Sequence, residues 1–138
     1  MAIEITGIDH VVLRVRDTDR ACAFYIGVLG LTEERRLEEV GLIQLRAGTA
    51  LIDLVPIASP LGKAGGAPPA PDGSGQNMAH LCLTTASRDA GTLLSHLARH
   101  GVSTSGVAVR YGADGFGPSV YVKDPDGNTI ELKLSAKA

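Results

Sequence analysis

Two stretches of this chain repeat the same order of elements, and a chain that folds one pattern twice has few architectures open to it. Residues 8–15 are rich in β-branched residues, and on strand alternation His10, Val12 and Arg14 share one face while Val11, Leu13 and Val15 share the other. Asp17 then offers an N-cap. Ala21, Phe24, Tyr25, Val28 and Leu29 form the stripe of an amphipathic helix from about Thr18 to Leu29, which Gly30 can end. Three short strands follow over 32–37, 42–46 and 50–55, the last two joined as a hairpin through Ala47, Gly48 and Thr49. In the last of them Leu51, Asp53 and Val55 share a face.

The pattern then restarts. Residues 78–84 read as a strand with His80, Cys82 and Thr84 on one face. Ser87 is an N-cap candidate, Ala90, Leu93, Leu94, Leu97 and Ala98 repeat the helical stripe, and Gly101 closes it. Residues 102–109 are small and apolar, and a glycine-rich loop over 112–117 leads to a strand over 119–123. Asp124-Pro125-Asp126-Gly127 is a turn, because proline fixes φ and glycine is free to take φ > 0. The strand that follows alternates Ile130, Leu132 and Leu134 with Thr129, Glu131 and Lys133. The expected fold is α+β: two tandem βαβββ modules, about 6–55 and 78–135, forming a cupped mixed sheet with helices outside, within one domain. Between them, residues 56–77 hold five of the seven prolines and form a linker or flap, longer than most connections in a compact domain.

The repeat also pairs the chemically interesting residues. His10 and His80 fall at matching places in the first strand of each module, and Asp53 and Glu131 in the last. If the modules pack about a pseudo-two-fold axis, the four converge. A lone histidine on an apolar strand is more often a hydrogen-bonded pocket residue than a ligand; its recurrence at matching positions points to a ligand. Two imidazoles with one or two carboxylates suit a divalent metal such as Zn, Ni, Co, Mn or Fe and leave coordination positions open. Asp53 is the weakest of the four, being a methylene shorter than glutamate, and as an outer group it would hold a water or a histidine ring. His96 and His100 stand at i and i+4, but Leu97 occupies the place where a zincin helix needs glutamate, so that pair is set aside.

Composition excludes other classes. A net charge of −2 gives no electrostatic case for nucleic acid or an anionic membrane, and no apolar run approaches the ~20 residues of a membrane helix. The start, Met1-Ala2-Ile3-Glu4, has no basic or apolar leader character, so a cytoplasmic location is expected. Cys22 and Cys82 lack metal or disulfide spacing and read as two buried thiols. No nucleotide-binding or serine-hydrolase motif occurs. Gln44 and Tyr121 fall on pocket-facing positions and are candidates for substrate contact, while an aromatic content of 4% argues against a large stacking pocket for flat ligands.

Asp9-His10-Val-Val-Leu-Arg14-Val, Ala23-Phe24-Tyr25-Ile-Gly-Val-Leu29-Gly30-Leu31, Ala79-His80-Leu and Asp124-Pro125-Asp126-Gly127-Asn-Thr-Ile-Glu131 together resemble the vicinal oxygen chelate superfamily. It comprises glyoxalase I, fosfomycin-resistance thiol transferases, extradiol dioxygenases and bleomycin-binding proteins. The resemblance covers nearly the whole chain. It implies paired βαβββ modules around a divalent metal, usually in a homodimer, with His10, His80 and Glu131 as ligands and Asp53 where glyoxalase I has a fourth ligand, a glutamate. It also places Arg14 where glyoxalase I keeps an arginine for a glutathione carboxylate. The activity it implies is glyoxalase-like lyase or isomerase chemistry on a small oxygenated substrate, with Glu131 as the catalytic base. Its alternatives are an Fe(II) ring-cleaving dioxygenase, a drug- or metabolite-binding module, and a thiol transferase. The last would draw its cations from Arg14, Arg110, Lys123 and Lys133.

Overall fold

A computed structural model describes residues 3–135; Met1 and Ala2, part of the start read for leader character, lie outside them. The chain divides into two compact units, one up to Pro68 and one from Pro69 onward. Each holds one four-stranded mixed sheet, so the α+β repeat expected from the sequence is present. Among the described residues no helix is long and apolar enough to cross a membrane.

The first unit runs β1 (His10–Val15), α1 (Thr18–Cys22), a π-helical continuation (Ala23–Val28), β2 (Thr32–Leu37), a 3-10 turn (Glu38–Val40), β3 (Leu42–Ala47), β4 (Ala50–Pro56) and α2 (Pro60–Lys63). The strand order is β1-β4-β3-β2, with β1 parallel to β4 and the other pairs antiparallel. Alternation settles the two faces. Leu13, Val15, Ile43, Leu45, Ile52 and Leu54 are buried on one side, and Ala21, Phe24 and Tyr25 of the helix are buried with them.

That helix is not α-helical throughout. Asp17 caps it as expected, accepting from the Arg20 amide at 3.1 Å, but from Ala23 the bonding widens, with Leu29 N donating to Phe24 O at 3.0 Å. A π-turn carries more residues per turn, so successive side chains diverge by a smaller angle. The neighbours Phe24 and Tyr25 are thereby both buried, their rings edge to face at 5.0 Å.

The second unit runs β5 (Leu81–Thr84), α3 (Ala90–Arg99), β6 (Ala108–Gly112), β7 (Gly115–Lys123) and β8 (Thr129–Lys133), in the order β5-β8-β7-β6, the same topology. Its apolar side carries Val120, Val122, Ile130 and Leu132, and Leu97 of α3 is fully buried. Three local expectations are corrected. The first strand starts at Leu81, so His80 precedes it. Asp89 rather than Ser87 caps α3, because its two carboxylate oxygens reach the amides of Gly91 and Thr92 together, each at 3.2 Å. The glycine-rich stretch 112–117 is the tip of the β6–β7 hairpin, with all three of its glycines inside the strands.

The linker is partly ordered. Ser59 caps α2 by accepting from Gly62 N at 3.1 Å. The Arg14 guanidinium then ties the segment to β1 through the carbonyls of Gly62 (3.3 Å), Gly66 (2.5 Å) and Ala67 (3.2 Å).

The turn before β8 is built around Asp124. Its Oδ1 accepts from the amides of Asp126 and Asn128 at 3.0 and 2.8 Å, its Oδ2 from Asn128 Nδ2 at 2.9 Å, and Gly127 takes φ 84°. Asp124 is only 5% exposed, so removing its carboxylate leaves part-buried donors without an acceptor. Asp124→Ala is expected to lower the urea-unfolding free energy by about 1.5–3 kcal/mol, the range for hydrogen bonds to a charged group, with Asp124→Asn losing less.

Candidate functional site

Strand register sets two equivalent rows of side chains, one in each unit. Val12 pairs with Asp53, and Asp53 with Gln44. Cys82 pairs with Glu131, and Glu131 with Tyr121. Directly paired residues point to the same side of a sheet, so each row crosses the face opposite the apolar one. His10 and His80 each lie two residues before their row.

In the first unit His10 Nδ1 lies 2.6 Å from Asp9 Oδ1. A carboxylate only accepts, so Nδ1 carries the proton and Nε2 is left as the ring's donor-free nitrogen. That hydrogen bond to Asp9 raises the pKa of His10, with the charge of Asp53 adding to it. Asp53 is 4% exposed; its oxygens accept from Gln44 Nε2 at 3.3 and 3.1 Å, and Gln44 Oε1 accepts from Arg35 at 3.3 Å. The Gln44 amide, a candidate for substrate contact, thus holds Asp53, and Arg14 holds the linker.

In the second unit His80 Nε2 stands 3.2 Å from Glu131 Oε1, with the histidine half-exposed and the glutamate buried. The Tyr121 ring meets the His80 ring edge to face at 5.4 Å, and the Arg110 guanidinium carbon lies 4.3 Å from the Tyr121 centroid. The sequence reading of buried thiols does not hold: Cys22 is half-buried and Cys82 exposed. Cys82 lies beside Glu131, and loss of water around the sulfur, with the Glu131 charge next, pushes its thiol up to about 11. It is therefore a neutral thiol at physiological pH. The alternation that put Cys82 on the His80 face was the signal that it was not a core residue. The His96 and His100 rings lie 4.7 Å apart at the end of α3, tilted by 52° to one another.

Neither unit alone completes a metal site: among the described residues no three histidine, cysteine, aspartate or glutamate side chains are grouped to hold an ion. Each unit supplies one imidazole and one buried carboxylate, donor types that suit Zn, Ni, Co, Mn or Fe. Chemically, the second unit sets a potential proton acceptor, Glu131, against the His80 imidazole, whereas in the first the His10 ring meets Asp9.

Comparison with known proteins agrees with the repeat. The profile of the glyoxalase/bleomycin resistance protein/dioxygenase superfamily matches residues 7–132. The chain is 33% identical over 134 residues to virulence protein STM3117 of Salmonella typhimurium, covering 93% of this chain and 83% of that protein. The crystal structure of that virulence protein superposes with a TM-score of 0.76 at 30% identity, over 97% of this chain and 100% of the other. An integron cassette protein from the mobile metagenome of V. cholerae gives a TM-score of 0.72 at 28% identity, over 99% and 100%. Lactoylglutathione lyase from Agrobacterium tumefaciens gives 0.67 at 21% identity, over 95% of each chain, a likeness of fold. The extent of the profile match, together with two units of the same βαβββ topology, establishes that this chain belongs to the glyoxalase/bleomycin resistance protein/dioxygenase superfamily.

Proposed function

We propose that the protein is a divalent-metal-dependent enzyme of the vicinal oxygen chelate type, with glyoxalase-like lyase or isomerase chemistry on a small oxygenated substrate. One observation carries the reading: the two units present a histidine and a buried carboxylate at equivalent positions of the same topology. His10, Asp53, His80 and Glu131 together would hold the ion. With two ligands in each unit, a full set needs both kinds of unit, and we take the working form to be a homodimer. Such an ion, when bound, supplies Lewis-acid stabilisation to an oxygen that gains negative charge.

The chain's own groups do the rest. Asp53 is kept in place by Gln44, so it enters the set pre-oriented. Glu131, buried beside His80, takes the proton from the carbon next to the substrate carbonyl, which is general-base catalysis. Tyr121 packs against the His80 ring and limits its swing. An Fe(II) dioxygenase would use His10, His80 and Glu131 without Asp53; oxygen uptake on catechols by iron-loaded protein separates it from the lyase reading.

Equilibrium dialysis against Ni2+, Zn2+ or Fe2+ should load the wild-type protein stoichiometrically, His10→Ala and His80→Ala should not load, and Gln44→Ala should bind about 10–100-fold more weakly. Wild-type loading that survives loss of either histidine would refute the ligand set. At saturating metal, Glu131→Gln should slow turnover of a glutathione hemithioacetal by about 10²–10⁴-fold with unfolding unchanged; an unaltered rate removes the base assignment. Because the proton on His10 competes with metal, and Asp9 raises the pKa of that ring, loading should fall off with acid at a higher pH than an ordinary imidazole would give. NMR titration of the metal-free His10 ring should show the raised midpoint, and Asp9→Asn should return it downward.

A further inference from the structure

The last turn of α3 carries two imidazoles that the proposed function leaves unused. His96 and His100 stand four residues apart, and the His100 amide donates to the His96 carbonyl at 3.3 Å, so helical spacing holds across the pair although His100 is the C-cap. Side chains at i and i+4 lie one above the other on a helix face. Leu97, the residue after His96, is fully buried, whereas His96 is half-buried and His100 exposed. The two rings therefore meet at the surface.

Their centroids are 4.7 Å apart. An ion bound to an imidazole nitrogen at about 2.0–2.1 Å lies about 3.2 Å from the ring centre, so two rings sharing one ion have centres about 4.5 Å apart when the nitrogen–metal–nitrogen angle is a right angle and about 5.2 Å apart when it is tetrahedral. The observed spacing falls between these limits. Leu97 stands where a zincin helix has its glutamate, which removes the catalytic base of such a helix but not the chelate, since two imidazoles at i and i+4 need no third residue to share an ion.

Electrostatics at this helix end divides. The last carbonyls of a helix present partial negative charge and favour a cation. Arg99, in the same turn, opposes one, but it is exposed, and its long stem carries the guanidinium into water, where the repulsion is screened. Neutral imidazole suits Ni, Cu and Zn, whereas Mg and Ca take oxygen ligands.

We infer that His96 and His100 form a second metal site, a two-imidazole chelate for a borderline divalent ion such as Ni2+ or Cu2+, with water completing the shell. The site does not depend on the ligand set of the proposed function. With two ligands and no carboxylate it fills after that set, at higher ion concentration, and its exposure lets the ion exchange with solvent.

The test uses the full chain carrying His10→Ala and His80→Ala together, which removes the imidazoles of the proposed set, so the two metal readings fail separately. Ni2+ is the probe because, unlike Cu2+, it does not oxidise the exposed Cys82 thiol. Binding is followed by titration calorimetry and by paramagnetic broadening of amide NMR signals. Saturable uptake of one equivalent is expected, with the amides of residues 95–101 broadened first and no competition from millimolar Mg2+. Adding His96→Ala or His100→Ala should weaken binding about tenfold or more, because a single imidazole loses the intramolecular second contact. Alanine is the strongest helix former, so both variants should keep their amide dispersion. Broadening that begins elsewhere, competition by Mg2+, or binding unchanged in a folded His96→Ala or His100→Ala overturns the site.

Discussion

Parallel pairing of the first and last strands in each unit is the constraint from which the candidate site follows. The order β1-β4-β3-β2, repeated as β5-β8-β7-β6, puts the last strand of each unit inside the sheet and the first at its edge. Asp53 and Glu131 therefore sit on interior strands and are buried, while His10 begins one edge strand and His80 precedes the other, both exposed. The crossover helix makes the parallel return possible, since parallel neighbours need a long connection.

Burial on an interior strand makes partners obligatory for the carboxylates. Both Asp53 oxygens accept from Gln44 Nε2, and Glu131 is met by the His80 ring. The two halves solve the same problem differently. Gln44 and Tyr121 hold equivalent places, yet the amide fixes its carboxylate directly while the phenol packs on the histidine. The first unit keeps Asp53 tethered by an amide, and the second keeps Glu131 with an imidazole as its partner.

Cations show the same economy of placement. Arg14 in β1 and Lys133 in β8 occupy corresponding rows of the two units, each one step beyond the row of Asp53 or Glu131. Arg14 is turned onto the linker carbonyls and orders residues 62–67; Lys133 lies in a trough of glycines. Gly65 serves the first as Gly112 serves the second, for a Cβ there would lie 2.8 Å from Arg14 Cδ.

The repeat, the strand faces and the pairing of His10 with His80 and of Asp53 with Glu131 were legible in the sequence, because alternation and helical spacing are local properties of the chain. What misled were features whose cause lies elsewhere in the fold. The glycines of 112–117 look like a loop, but Gly112 and Gly117 are small because the Lys133 side chain, from another strand, needs their space. Phe24 and Tyr25 fit an α-helical stripe, yet burying both against one sheet widens the helix to a π-turn. Cys82 reads as a core thiol until register places it beside Glu131. The sequence by itself determined the topology, since hydrophobic period and turn chemistry act over a few residues. Only tertiary structure decided which polar groups meet, because strand register joins residues far apart in the chain and burial then forces each of them to find a partner.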